Sequence, residues 1–201
     1  MIPTILCDIA HKLKSTGYFD VLYEYVEMVQ RSNGTIRPMY YKGKNAGYID
    51  VQNFDVNGTG YIRKRGQVGI RLDNSAIKTT ACNSNQIQNA VFYLPLKLVV
   101  AVPKNNLEDS PFVDDILASN LISVLQQNLN PLAVSLNVND INVIVTNYDT
   151  DDLNIWISEN KGIEFDENKL FRFSYIAIDF DIEIKGNLSC LENCNNGYLE
   201  G

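Results

Sequence analysis

Histidine is almost missing from this chain: His11 is the only one in 201 residues. Imidazole is the commonest general base near neutral pH, so a Ser-His-Asp hydrolase would have to be built on that one residue. Cysteine is sparse too, with only Cys7, Cys82, Cys190 and Cys194, and much of the usual catalytic inventory goes with these two absences. Basic residues are outnumbered, 17 Lys plus Arg against 24 Asp plus Glu, for a net charge of −7 and a pI near 4.7. That balance weighs against a dedicated nucleic-acid-binding domain, which must neutralise phosphates with Lys and Arg. Long apolar runs are lacking as well. The longest, residues 91–102, is broken by Pro95 and Lys97 and falls short of the ~18 residues a membrane span needs. The first eight residues carry no basic stretch and reach Asp8 too early for a signal peptide. A soluble protein made in the cytoplasm is expected, and the Asn-x-Ser/Thr triplets at Asn33, Asn57 and Asn187 then carry no glycan.

What remains is a folding composition: 45% hydrophobic, 10% aromatic and 20% charged residues lie far from the range of disordered chains. Asparagine alone numbers 24, a surplus that AT-rich codons suffice to produce. The length suits one domain, residues 1–201, and no linker divides it.

Apolar residues at Ile5, Leu6, Ile9 and Leu13 recur at helical spacing. They predict an amphipathic helix over 4–15, with Thr4 able to cap it and Gly17 to stop it. Residues 18–30 carry both a period of two and a helical period; Tyr and Val favour a strand in their first half. Asn33-Gly34 makes a turn. From Pro38 to Leu72, short Tyr, Ile and Val runs are punctuated by glycines, the texture of antiparallel hairpins. Asn57-Gly58 is a strong tight-turn signal at its centre, and 33–72 reads as an extended β-hairpin arm projecting from the core. Residues 73–90 read as a long polar loop.

Residues 91–102 place Phe92, Leu94, Leu96, Leu98, Val100 and Val102 on one face of a central strand that Pro103 ends. Ser110 with Pro111 starts a helix whose apolar stripe runs from Val113 to Leu125. A short buried strand over 141–146 and an acidic turn, Asp149-Thr150-Asp151-Asp152, follow. The strand 171–185 alternates cleanly, with Ile176, Ile178, Phe180, Ile182 and Ile184 inward and Tyr175, Asp179, Asp181 and Glu183 outward. Residues 186–201 read as a flexible tail. The order of elements predicts an α+β fold, a mixed and mainly antiparallel sheet flanked by two helices.

Several residue groups invite a chemical reading. Asp55 to Tyr61 begins like a calcium loop, but Gly66 stands where the bidentate twelfth-position Glu belongs, so a hairpin turn is the better account. Cys7 with His11, and Cys190 with Cys194, are each four apart. They admit a zinc site, a Cys190–Cys194 disulfide or free thiols, and a reducing compartment favours the last. Arg63-Lys64-Arg65 is the densest basic spot and is either a solvated loop tip or a contact with an acidic partner or a phosphate backbone. Asp179, Asp181 and Glu183 make a negative wall that needs water, a metal ion or a basic partner; a solvated face is expected first, an inter-subunit contact next and a two-metal nuclease last. No cofactor and no catalytic activity is expected. The interface candidates are Asn57, Gly58, Arg63, Lys64, Arg65, Asp179, Asp181 and Glu183.

Some stretches resemble a known family. They are the N-terminal helix ending at Lys14-Ser15-Thr16-Gly17-Tyr18-Phe19, the segment Pro38-Met39-Tyr40-Tyr41, the strand 94–102, the capped helix and the terminal strand 175–182. In order and size these elements resemble the tail-terminator and tail-completion proteins of long-tailed phages and the neck proteins that join tail to head. The resemblance implies an α+β subunit of a homo-oligomeric ring around the DNA channel, without catalytic residues, assembled in the host cytoplasm into the virion. Its partners would be other tail and neck proteins, with DNA passing through the lumen and no membrane contact. The hairpin would then be the docking arm, and the acidic strand face would line a lumen or a subunit seam. The alternative is a non-catalytic module presenting Tyr40, Tyr41, Tyr48 and Trp156 to a carbohydrate or protein.

Overall fold

A computed structural model describes residues 2–19, 21–41, 47–50, 66–72, 78–84, 87–107, 109–127, 129–150, 154, 157–158 and 173–187. Helix α1 spans Ile2–Ser15 and buries Ile5, Leu6, Ile9, Ala10 and Leu13, the stripe that its 3.6-residue period dictates. It starts ahead of Thr4, with Pro3 in the first turn, where a missing N–H costs no helical bond. It stops at Gly17, whose φ of 77° suits a left-handed glycine just past a helix end. The amides of Thr16 and Gly17 close on the carbonyls of Leu13 and Lys14.

Eight strands form one sheet: β1 Val21–Gln30, β2 Ile36–Tyr41, β3 Tyr48–Asp50, β4 Gln67–Leu72, β5 Lys78–Ser84, β6 Ile87–Pro103, β7 Asp140–Thr150 and β8 Phe173–Asn187. The order is β3-β2-β1-β4-β6-β8-β7, and β5 pairs with β6 beside β4. Only β1 and β4 run parallel; the other described ladders are antiparallel, so the sheet is mixed as expected. The ambiguous 18–30 segment is strand from Val21 onward, and the Asn33-Gly34 turn is present with Gly34 at φ 82°. Helix α2, Val113–Leu125, and a short helix α3, Asn130–Ser135, complete the described elements with a 3-10 turn at Lys104–Asn106.

One core lies between the helices and one face of the sheet. Ile9 and Leu13 of α1 and Leu117 and Leu121 of α2 meet Leu96 and Leu98 of β6 and Ile178 and Phe180 of β8 in it. Burying each such side chain is worth ~1.5–3 kcal/mol. The sheet faces foreseen for β6 and β8 are therefore correct, and this packing is what makes the fold α+β.

Four expectations change. Residues 73–90 are not one loop, because β5 and the start of β6 form a ladder running from Lys78 opposite Tyr93 to Ser84 opposite Ile87. Backbone pairing with a long neighbour needs no apolar periodicity, and so left no trace in the hydropathy. The proposed arm over 33–72 narrows from both ends: β2 pairs with β1, while β4 is an interior strand with Val68 and Ile70 fully buried. Its centre, with Asn57, Gly58, Arg63, Lys64 and Arg65, lies outside the described residues, as do 188–201 of the expected tail. Gly186 and Asn187 belong to β8.

The third change concerns Ser110, which is not the cap of α2. Its hydroxyl accepts the Phe112 amide at 3.2 Å and its carbonyl accepts the Val113 amide, so a turn comes first and the helix begins at Val113. The fourth concerns β7, which is longer than 141–146 and, at the end of the described sheet order, largely exposed. Asp149 and Thr150, expected in a turn, pair with Ala177 and Ile176.

Candidate functional site

The face of the sheet away from the helices carries the acidic row, and register decides its company. Antiparallel pairing of β6 with β8 sets Tyr93 opposite Glu183, Pro95 opposite Asp181 and Lys97 opposite Asp179. On the other side β7 sets Asp140 opposite Lys185, Asn142 opposite Glu183 and Ile144 opposite Asp181. Residues directly opposite in a ladder are near enough for their side chains to interact.

Glu183 is the hub. Tyr93 Oη donates to its Oε1 at 2.9 Å, Lys185 Nζ lies 2.7 Å from its Oε2, and Asn142 Nδ2 donates to the same oxygen at 3.4 Å. Asn142 also donates to Asp140 Oδ2 at 2.7 Å, and Lys185 reaches that oxygen at 3.7 Å. The Lys185 ammonium holds the Glu183 carboxyl below its ordinary range, helped by the Tyr93 and Asn142 donors. Reciprocally, the bond to Glu183 raises Tyr93 and Lys185. At the other end Lys97 Nζ lies 3.4 Å from Asp179 Oδ1, and Thr146 Oγ1 donates to the Asp179 carbonyl at 3.1 Å.

Between these two paired carboxylates Asp181 has no cation among the described residues; its cross-strand neighbours are Pro95 and Ile144. Four carboxylates thus share two cations among the described residues, with Lys185 divided between Glu183 and Asp140 and Asp181 facing none. The row does not gather carboxylates around an ion: among the described residues no three His, Cys, Asp or Glu side chains are placed to hold a metal. Lys97, Tyr93, Asn142, Asp140 and Lys185 were not foreseen; the strand period alone could have found Lys185, two residues from Glu183, and only the pairing register the other four. Tyr175, expected on the outer face, is on it yet 3% exposed, and burial raises its phenol.

Among the described residues, the other candidates lie away from this face. Cys7 is half-buried on α1 and unbridged; its thiol is pushed up, first by burial and then by Glu24 and Asp8. His11 lies one turn on, exposed, and lines a cleft with Ala10, Lys14, Phe19, Leu22 and Glu24. Cys190, Cys194, Trp156, Asp151, Asp152 and the Asp55–Tyr61 segment lie outside the described residues. Tyr40 packs its ring on Tyr23, centroids 4.8 Å apart, and Tyr41 pairs with Tyr48 along the backbone. Among the described residues no helix is long and apolar enough to cross a membrane. Compared with protein-family models and with curated proteins, the chain matches none of them.

Proposed function

We propose that the protein is a structural assembly subunit of a virion, a tail-terminator or tail-completion protein forming part of a ring of identical copies at the tail or neck. The observation that carries this reading is the edge strand β7. Among the described residues it pairs with β8 alone, and from Ile141 to Tyr148 it holds eight residues without a charge or a proline. Ile144 and Tyr148 on it are exposed. Isolated proteins guard such edges with charge, proline or a covering segment; here the charges, Asp140 and Asp149, stand only at the two ends of the strand, and a bulge between Val145 and Asn147 interrupts the stretch between them. An edge of this kind suits lateral contact with a neighbouring subunit, and head-to-tail contacts that close make a ring. The acidic face, only half-neutralised by Lys97 and Lys185 and open at Asp181, fits a subunit seam.

Electron microscopy of particles assembled without the protein tests the reading. Tails of irregular length, or tails detached from filled heads, are expected. Normal tails joined to full heads would sink it.

A further inference from the structure

Two surface features outside the acidic face complement each other. The first is a knob at the start of α2. Phe112 is 65% exposed and Ile116, one helical turn on, is 42% exposed; exposed Pro111 precedes them. Residues four apart on a helix lie side by side, so the two make one apolar projection. Asp109 and Asp115 stand three residues before and after Phe112, both exposed. The second feature is the cleft beside α1, lined by half-buried Leu22, by the buried Ala10 and Phe19, and by three charged or titratable groups. The helix contributes His11 and Lys14, and β1 contributes Glu24. The side chains of Lys14, His11, Asp109 and Asp115 have no hydrogen bond or ion pair among the described residues.

We infer that the Phe112–Ile116 knob of one copy enters the α1 cleft of another, with Asp115 or Asp109 facing Lys14 and His11. The inference rests on the proposed ring of identical copies and adds a side-chain contact between neighbours to the one that the β7 edge offers. The apolar knob meets the side chain that Leu22 leaves partly open, and acids that flank the knob meet the bases on one wall of the cleft. Glu24 on the other wall sets the orientation, since it repels an acid entering from that side. An aromatic anchor seated in a pocket with a charged rim is how small protein contacts concentrate their affinity.

Light scattering and sedimentation of the full chain over a range of concentrations test the contact. Wild type is expected to gain mass with concentration, and Phe112→Ala and Lys14→Glu to weaken association by about tenfold or more. The sites are exposed, so circular dichroism should show all variants folded. Asp115→Lys is expected to weaken association likewise. Mixing the Asp115→Lys and Lys14→Glu variants should restore association, because the knob of the first and the cleft of the second again carry opposite charges. The imidazole of His11, the only one in the chain, gives a single nuclear magnetic resonance reporter that should move with concentration in wild type and stand still in Phe112→Ala.

Wild type that stays monomeric at every concentration, or Lys14→Glu and Phe112→Ala variants that associate like wild type, would overturn the contact. In the second case the ring stands or falls separately on particle morphology. Rescue by mixing that stops at a dimer supports the contact and counts against the ring.

Discussion

Lys97 on β6 and Asp179 on β8 face each other across an antiparallel ladder, Nζ 3.4 Å from Oδ1. The pair changes what the acidic strand is. Alternation along 171–185 implies a wall of like charges, but the neighbouring strands deliver Lys97 at one end and bring Tyr93 and Asn142 to Glu183 at the other. Lys185, two residues along β8 itself, is shared between Glu183 and Asp140. Only Asp181, between Pro95 and Ile144, keeps its charge unanswered among the described residues.

Glu183 makes the stability of this face depend on pH. Its folded pKa is lowered, so its contribution is fully present above the unfolded carboxyl value of ~4.3 and is lost as pH falls through the folded value. Glu183→Gln is expected to cost about 1 kcal/mol at pH 7, discounted for solvent screening. The wild-type advantage in thermal midpoint should shrink towards pH 3. An equal gap at both pH values would show that the charge on Glu183 is not the cause.

Gly66 precedes β4 with its backbone pressed against two other segments. A Cβ there would lie 2.5 Å from the Tyr18 carbonyl oxygen and 3.1 Å from that of Ala101, and neither backbone atom can step aside cheaply. Gly66→Ala should destabilise by about 1–3 kcal/mol in urea unfolding. A neutral result would mean that the join between α1 and β1 shifts freely.

Ile178, fully buried at the centre of β8, packs in the core beneath the helices. Ile178→Ala should cost about 2–5 kcal/mol, through lost transfer energy and the cavity left behind. Ile144→Ala on exposed β7 should change stability by less than about 0.5 kcal/mol. Comparable losses at both sites would contradict the assignment of the two strand environments.

Cys7 should react slowly. Its thiol pKa is raised by burial, then by Glu24 and Asp8, and the thiolate is the reactive form. Iodoacetamide labelling at pH 8, read at the Cys7 peptide by mass spectrometry, is expected to be slower in the folded chain than in urea. Faster labelling when folded would reverse the sign of the shift.

Where a repeat of apolar residues or a turn pair marks a segment, the sequence was enough to read it, although local polar partners such as those of Ser110 and Lys185 were not read. The α1 stripe of Ile5, Ile9 and Leu13, the Asn33-Gly34 turn and the inward row Ile176 to Ile184 follow from helical and strand periods alone, because those periods are set by local backbone geometry. The α+β class follows from the order of these elements.

Partners brought together from distant segments were decided only by the tertiary structure. That β5 is a strand depends on β6 lying beside it, since a polar stretch has no apolar period to announce a ladder. That Tyr175 is buried while Asp179 and Glu183 meet cations or donors depends on position and register, and a slip of one residue would exchange the two faces of a strand. Asp181 shows the limit most plainly. Its place in the alternation was legible, but its standing between Pro95 and Ile144 came from two ladders whose alignment is fixed by core packing on the opposite face.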